Sequence, residues 1–71
     1  MKNSEIAEKI VATMFANSNL LFKRVKTLQD EGKNPLDDKQ CCYDRAILIG
    51  QIEICDKLGI DRTQFNWIFS I

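Results

Sequence analysis

The chain has 71 residues, which limits it to one domain, and a domain of this size buries only about 60% of its unfolded surface. Ten basic and ten acidic residues cancel, which argues against a strongly basic nucleic-acid-binding surface and against an acidic nucleic-acid mimic. At 45% apolar residues the chain can fold, but its apolar runs are too short to cross a membrane.

The usual supports of so small a domain are disulfides, a metal ion or oligomerisation. The three cysteines are an odd number, and Cys41 and Cys42 are adjacent, which is poor geometry for a mutual disulfide. Without histidine or a Cys-x-x-Cys pair, no zinc site is expected. The first residues also lack a secretory signal, so we expect reduced thiols in a cytoplasmic protein that forms a homodimer or higher oligomer.

A helical repeat of apolar residues predicts a first helix over about residues 4–31. Its positions step alternately by four and three residues, which is heptad spacing. They are Ala7, Val11, Met14, Ser18, Leu21, Val25 and Leu28. The poor helix formers Asn17, Ser18 and Asn19 leave a break open, but the apolar phase continues through them and favours one long helix.

A second helix is predicted over about residues 35–58, with Asn34 as its cap and Pro35 at the first helical position. Gly32 ends the first helix, and the short loop that follows makes the two helices antiparallel neighbours. The predicted fold class is therefore all-α: a long antiparallel helical hairpin plus a short C-terminal helix, in an oligomeric bundle.

The second helix is apolar on two sides, which is typical of a helix buried by more than one neighbour. One face holds Cys41, Leu48, Ile52 and Cys55, and roughly opposite lie Tyr43, Ile47, Ile54 and Leu58. The first helix can cover only one side, so a second copy or a different protein is expected on the other. Gly50 lies on that second face and suggests a close approach of helices there.

The C-terminal segment is predicted as a short helix over about residues 62–70. Asp61 can cap it, and Gln64 three residues later completes a capping box, with Phe65, Ile68 and Phe69 facing inward. The alternative is a strand, because aromatic and polar residues partly alternate here.

Residues 51–70 have the order helix, tight turn, helix, with Cys55 where the helices approach and Gly59 where the turn needs a positive φ. This stretch resembles the helix-turn-helix DNA-binding family. The resemblance implies burial of five positions, which are Ile54, Leu58, Ile60, Phe65 and Ile68. It also implies that the second helix presents to DNA the residues Asp61, Arg62, Thr63, Asn66, Trp67 and Ser70. A purely structural corner is the favoured alternative.

Few side chains indicate chemistry, so no catalytic residue, metal or cofactor is expected. The cysteines have no histidine to activate them and are interpreted as small core residues. Arg45 beside an apolar strip is expected to pair with an acid or a carbonyl, or alternatively to hold an anionic ligand. Trp67 and its aromatic neighbours either anchor a partner or cap the hairpin core.

The favoured function is a non-enzymatic protein–protein interaction module that binds an unidentified host protein and modulates or inhibits it. The many Lys, Asn and Ile residues suggest an AT-rich genome, such as that of a phage or another mobile element. The candidate partner-binding residues are Trp67, Phe65, Phe69, Tyr43 and Arg45. One alternative is a small dimeric helix-turn-helix regulator that uses residues 51–70, with Arg62, Thr63, Asn66 and Trp67 on DNA. Another is an oligomeric ligand binder with Arg45 and Tyr43 at a subunit interface.

Overall fold

The computed structural model describes residues 3–71, and this part of the chain is helical, with no strand. Helix α1 spans Asn3–Asp30 and helix α2 spans Lys39–Leu58. A 3-10 turn at Pro35–Asp37 joins them, and a C-terminal 3-10 helix spans Thr63–Ser70. The expectation of an all-α fold is confirmed.

The two long helices lie side by side and antiparallel. Asn17 Nδ2 donates to Gln51 Oε1 at 3.3 Å, and seven residues later on α1 the Arg24 side chain reaches Asp44, seven residues earlier on α2. The result is an elongated body of 45 × 18 × 17 Å.

The heptad positions of α1 form its buried face, as the spacing predicts. Met14, Ser18, Leu21 and Val25 are buried against α2. The helix is continuous through Asn17–Asn19, because two of the poor helix formers make other contacts: Asn17 bonds to α2, and the Ser18 hydroxyl donates to the Phe15 carbonyl at 3.0 Å.

The start of the second helix differs from the prediction. Asn34 does cap the helix that begins at Pro35, because its side-chain oxygen accepts from the Leu36 amide at 3.1 Å. That helix, however, is only the short 3-10 turn. Asp38 then adopts an extended conformation, and its carboxylate accepts from the Cys41 amide at 2.9 Å. The prediction of one helix from residue 35 was wrong because Asp38 acts as a second N-cap and starts a separate helix.

Of its two apolar faces, helix α2 buries the one formed by Cys41, Leu48, Ile52 and Cys55. It ends at Gly59, which has φ +70°, and the Ile60 amide donates to the Cys55 carbonyl at 2.8 Å. This bond pattern closes the helix and turns the chain back toward α1.

The C-terminal 3-10 helix runs back along the hairpin, in contact with α1. Phe65 is buried and its ring lies 5.1 Å from that of Phe15. Further on, the Trp67 ring meets Phe22 edge-on at 5.7 Å. The expectation of a helix rather than a strand is thus confirmed, although the helix is of the 3-10 type.

The same segment is also tied to α2. Arg45 Nε donates to the Ile68 carbonyl at 3.2 Å, and the Ile68 side chain is fully buried. Phe69 was expected to face inward, but it is half exposed. In a 3-10 helix three residues complete a turn, so the burial of Phe65 and Ile68 leaves their neighbour Phe69 outside.

Candidate partner-binding surfaces

The side of α2 that faces away from the core is an exposed apolar surface, which we call the outer stripe. It consists of Tyr43, Ile47, Ile54 and Leu58, with Gly50 in the middle. Tyr43 is 63% exposed, and Ile54 and Leu58 are 47% and 57% exposed. Leu20 of α1, which is also exposed, lies beside Ile47. No described residue of this chain covers the stripe.

A polar edge separates the outer stripe from the core. The Asp44 carboxylate accepts from Arg24 Nε at 3.3 Å and from Gln40 Nε2 at 2.9 Å, while Gln51 accepts from Asn17. The bonds of Arg24 and Asn17 join α1 to α2 along their common border, whereas the Gln40–Asp44 bond lies within α2. They leave the stripe free of charged groups at its centre.

A second apolar surface, the aromatic cleft, lies where the C-terminal 3-10 helix meets α1. Trp67 and Phe22 form its edge-to-face pair, and Lys26 Nζ lies 5.7 Å from the centre of the Phe22 ring. The cleft measures about 210 Å³ and is lined by Phe22, Val25, Lys26, Gln29, Trp67, Ser70 and Ile71. Its centre is therefore aromatic and its border polar.

The predicted partner-binding residues do not form one site. Trp67 lies in the aromatic cleft and Tyr43 lies in the outer stripe, while Phe69 is exposed without belonging to either. Phe65 is 1% exposed, so the expectation that it contacts a partner is wrong for this fold. Arg45 pairs with the Ile68 carbonyl, which confirms the expectation of a structural pairing.

Phe22 and Lys26 were not predicted from the sequence as site residues. Half of the Phe22 side chain is exposed. The available signal was the spacing of seven between Phe15 and Phe22. It puts both rings on one flank of α1, where Phe65 and Trp67 meet them.

The corner that resembles a helix-turn-helix unit has the expected turn but not the expected burial. Gly59 has a positive φ and Cys55 is buried, as the resemblance implies. Ile54 and Leu58 are exposed, so the expectation that all five positions are buried is wrong. Helix α2 turns them outward because its inner face already packs on α1.

The cationic residue expected to face DNA is bonded within the chain. Arg62 Nε and Nη2 donate to the Asp56 carboxylate at 3.0 and 3.3 Å, and Nη1 donates to the Asn66 side-chain oxygen. The bond to Asp56 raises the pKa of Arg62 above its ordinary value. Arg62 also lies 6.0 Å from the centre of the Phe69 ring.

Thr63 is likewise engaged, through the turn that starts the C-terminal helix. Its amide and its hydroxyl donate to Asp61 Oδ1 at 3.1 and 2.9 Å. These bonds hold the pKa of the Asp61 carboxyl below its ordinary value. Asp61 therefore forms a local turn with Thr63, but the N-cap of the C-terminal helix is Arg62, which makes no side-chain cap bond, so the expectation that Asp61 caps this helix is wrong.

The cysteines differ in their surroundings. Cys41 and Cys55 are buried, and burial raises the pKa of both thiols. Cys55 Sγ donates to Met14 Sδ at 3.4 Å. Cys42 was expected in the core but is exposed, with its thiol donating to the Leu36 carbonyl at 3.0 Å. It lies outside because consecutive helical residues are about 100° apart.

Neither a metal site nor a membrane-spanning helix is found in the part of the chain that the structure describes. Residues 3–71 contain no group of three His, Cys, Asp or Glu side chains placed to hold a metal ion. Within the same range, neither long helix is apolar enough over a sufficient length to cross a membrane.

Comparison with known proteins adds no further assignment. The chain matches no protein-family model, and neither the curated proteins nor the solved structures give a significant match. The two apolar surfaces and their chemistry are therefore the features of this chain that bear on its function.

Proposed function

We propose that this chain is a non-enzymatic interaction module that binds a partner protein through the aromatic cleft and thereby modulates or inhibits it. The observation that carries the proposal is the pair formed by the half-exposed Phe22 and the partly buried Trp67, beside Lys26. Tryptophan and other aromatic residues contribute most of the binding energy in many protein interfaces, especially in a pocket with a polar border.

The chemistry of the cleft suggests the kind of segment it binds. The two rings offer an apolar slot for one hydrophobic side chain of the partner. Lys26 adds a positive charge at the border of that slot, and an acidic side chain next to the hydrophobic one complements it. Gln29 and Ser70 supply further hydrogen-bonding groups at the border.

The setting we propose is a reducing cytoplasm, in which a small accessory protein of a phage or another mobile element acts on a host protein. All three cysteines are free, which fits a reducing compartment. A module of 71 residues acts on its partner by occupying a surface. It can do so without chemistry of its own.

The test begins with capture of binding proteins from the native host on the immobilised chain, identified by mass spectrometry. The purified partner is then titrated directly with the wild-type chain and with two variants of the cleft. Trp67→Ala removes the larger ring and is expected to weaken binding by about 2 kcal/mol or more. Lys26→Glu reverses the charge at an exposed position and should also weaken binding of an acidic segment.

Lys9→Glu is the matched control, because it makes the same charge change on an exposed part of α1 far from the cleft. It should leave the affinity unchanged. Equal effects of Lys26→Glu and Lys9→Glu would reduce the role of Lys26 to long-range electrostatics. Unaltered binding by a folded Trp67→Ala variant would contradict the proposal.

A further inference from the structure

Gly50 is a mid-helix glycine that the chain itself does not require. A Cβ built at this position meets no atom within 4 Å, so no neighbour in the chain excludes alanine. Glycine inside a helix is less stable than alanine, because it loses more backbone freedom on folding. A reason for this residue has to be sought outside the single chain.

The outer stripe is arranged symmetrically around the same point. Tyr43 and Leu58 are equally far in sequence from the midpoint between Gly50 and Gln51, and so are Ile47 and Ile54. A two-fold interface requires such an arrangement, because residue i of one copy meets residue j of the other and j meets i.

We propose that a second copy of this chain binds the outer stripe, with the two α2 helices antiparallel across a two-fold axis at Gly50–Gln51. Ile47 then packs on Ile54 of the second copy, and Tyr43 packs on Leu58 of the second copy. Glycine at the crossing point lets the two helix backbones approach closely. The aromatic cleft lies on the C-terminal segment and stays free in this dimer.

The surface area is consistent with a missing neighbour. The chain exposes 4979 Å². A typical monomer of 8.2 kDa exposes roughly 4,500 Å² by the usual scaling with mass. A standard interface removes roughly 800 Å² from each partner, which more than offsets the excess. The exposed side chains available for it are Leu20, Tyr43, Ile47, Ile54 and Leu58.

Sedimentation equilibrium of the full chain tests the proposal first. The wild type should show a mass near twice 8.2 kDa at micromolar concentration. Ile54→Lys puts a charge in the interface and should weaken dimerisation by roughly a hundredfold or more. Leu36→Lys is the matched control, since it adds the same charge at an exposed apolar position away from the stripe, and it should leave the dimer intact.

Gly50→Ala provides a second variant that does not endanger the fold. Because the added methyl group meets open space within the chain, the helical circular dichroism signal should persist. The dissociation constant of the dimer should nevertheless rise roughly tenfold, because the methyl group separates the two helices. Unchanged dimerisation of Gly50→Ala would overturn the proposed crossing point.

Cross-linking tests the antiparallel arrangement in a Cys42→Ser background. A mixture of Ile47→Cys and Ile54→Cys proteins should form a disulfide between the two positions, identified by mass spectrometry. Ile47→Cys alone should not link to itself, because its two copies are about 10 Å apart along the helix axis, beyond the usual disulfide span of roughly 7 Å between Cα atoms. Self-linking of Ile47→Cys, or a wild-type mass of one chain, would overturn the proposal.

Discussion

Helix α2 has two apolar faces, the inner face (Cys41, Leu48, Ile52 and Cys55) and the outer stripe. Their compositions are similar, but the residues that lie opposite them differ. Each face has four apolar side chains along the same helix. Those of the inner face are almost completely buried, whereas those of the outer stripe are substantially exposed. Apolar character alone therefore does not decide burial in a domain this small, because the chain has too few elements to cover both sides.

Helix α1 packs on the inner face, and the C-terminal segment adds to this asymmetry. The segment packs on one flank of the hairpin through Phe65 and Ile68, and the Arg45–Ile68 bond holds it there. Its helix has only eight residues, so the segment can cover that flank but no other. The outer stripe is left for a neighbour outside the chain, which makes the two faces separately testable.

The largest difference is expected from truncating neighbouring residues on the two faces. Leu48→Ala leaves a cavity at a fully buried position and should lower the free energy of unfolding by about 2–5 kcal/mol, as should Leu21→Ala on the facing helix. Ile47→Ala removes a partly exposed side chain and should cost clearly less, about 1 kcal/mol.

Urea denaturation measures both effects, at a protein concentration low enough to keep the chain monomeric. The comparison of Leu48 with Ile47 is internally controlled, since both positions have the same helical context. Similar losses from the two variants would show that the two faces of α2 are buried to a similar extent in solution.

Much of this architecture could be predicted from periodicity. The heptad steps of α1 and the inner face of α2 identified the core, because one helix packs on another through a regular stripe. The start of α2 was harder, since Asn34 and Asp38 are both good caps and the chain uses both, Asn34 for the 3-10 turn and Asp38 for α2. Periodicity also could not reveal a 3-10 rather than an α-helix at the C-terminus.

Site residues were less predictable, because their role depends on how the chain turns. Phe22 becomes part of a cleft only through contact with Trp67, 45 residues away. Its spacing from Phe15 indicates a shared flank of α1 but not the ring that meets it. Arg62 looks free for phosphate in the sequence, but the turn at Gly59 brings it to Asp56, six residues earlier.

The glycine inside α2 and the glycine that caps its end should respond to alanine substitution in opposite directions. Gly59 has φ +70°, so Gly59→Ala forces an L-residue into the left-handed region and should destabilise the chain by about 1 kcal/mol. Gly50→Ala lies in regular helix with open space around it and should stabilise the monomer by about 1 kcal/mol. Thermal unfolding at low protein concentration measures whether each variant is less or more stable than the wild type. A destabilised Gly50→Ala monomer would mean that the chain itself needs the glycine.

The smallest effect on stability is expected from substitution of Cys42. Its neighbour Cys41 is buried, so the two adjacent thiols allow an inner and an outer position to be compared directly. Cys42→Ser should change the free energy of unfolding by no more than about 0.5 kcal/mol, because the side chain is exposed. In the native protein, iodoacetamide should modify Cys42 readily while Cys41 and Cys55 react only when the chain unfolds. Mass spectrometry of partly labelled protein distinguishes the three. Equal labelling of Cys41 and Cys42 would show that the inner face opens.

The buried thiols should also make the free energy of unfolding depend on pH, and with it the protection of these thiols from labelling. Burial raises the pKa of Cys41 and Cys55, so the folded state binds their protons more tightly than the unfolded state does. Their contribution is therefore fully present below the ordinary thiol pKa of about 8.5 and is lost as pH rises above it. We expect the free energy of unfolding to fall in this alkaline range, and labelling of the inner thiols to increase with it. A free energy of unfolding that stays constant across this range would contradict the prediction.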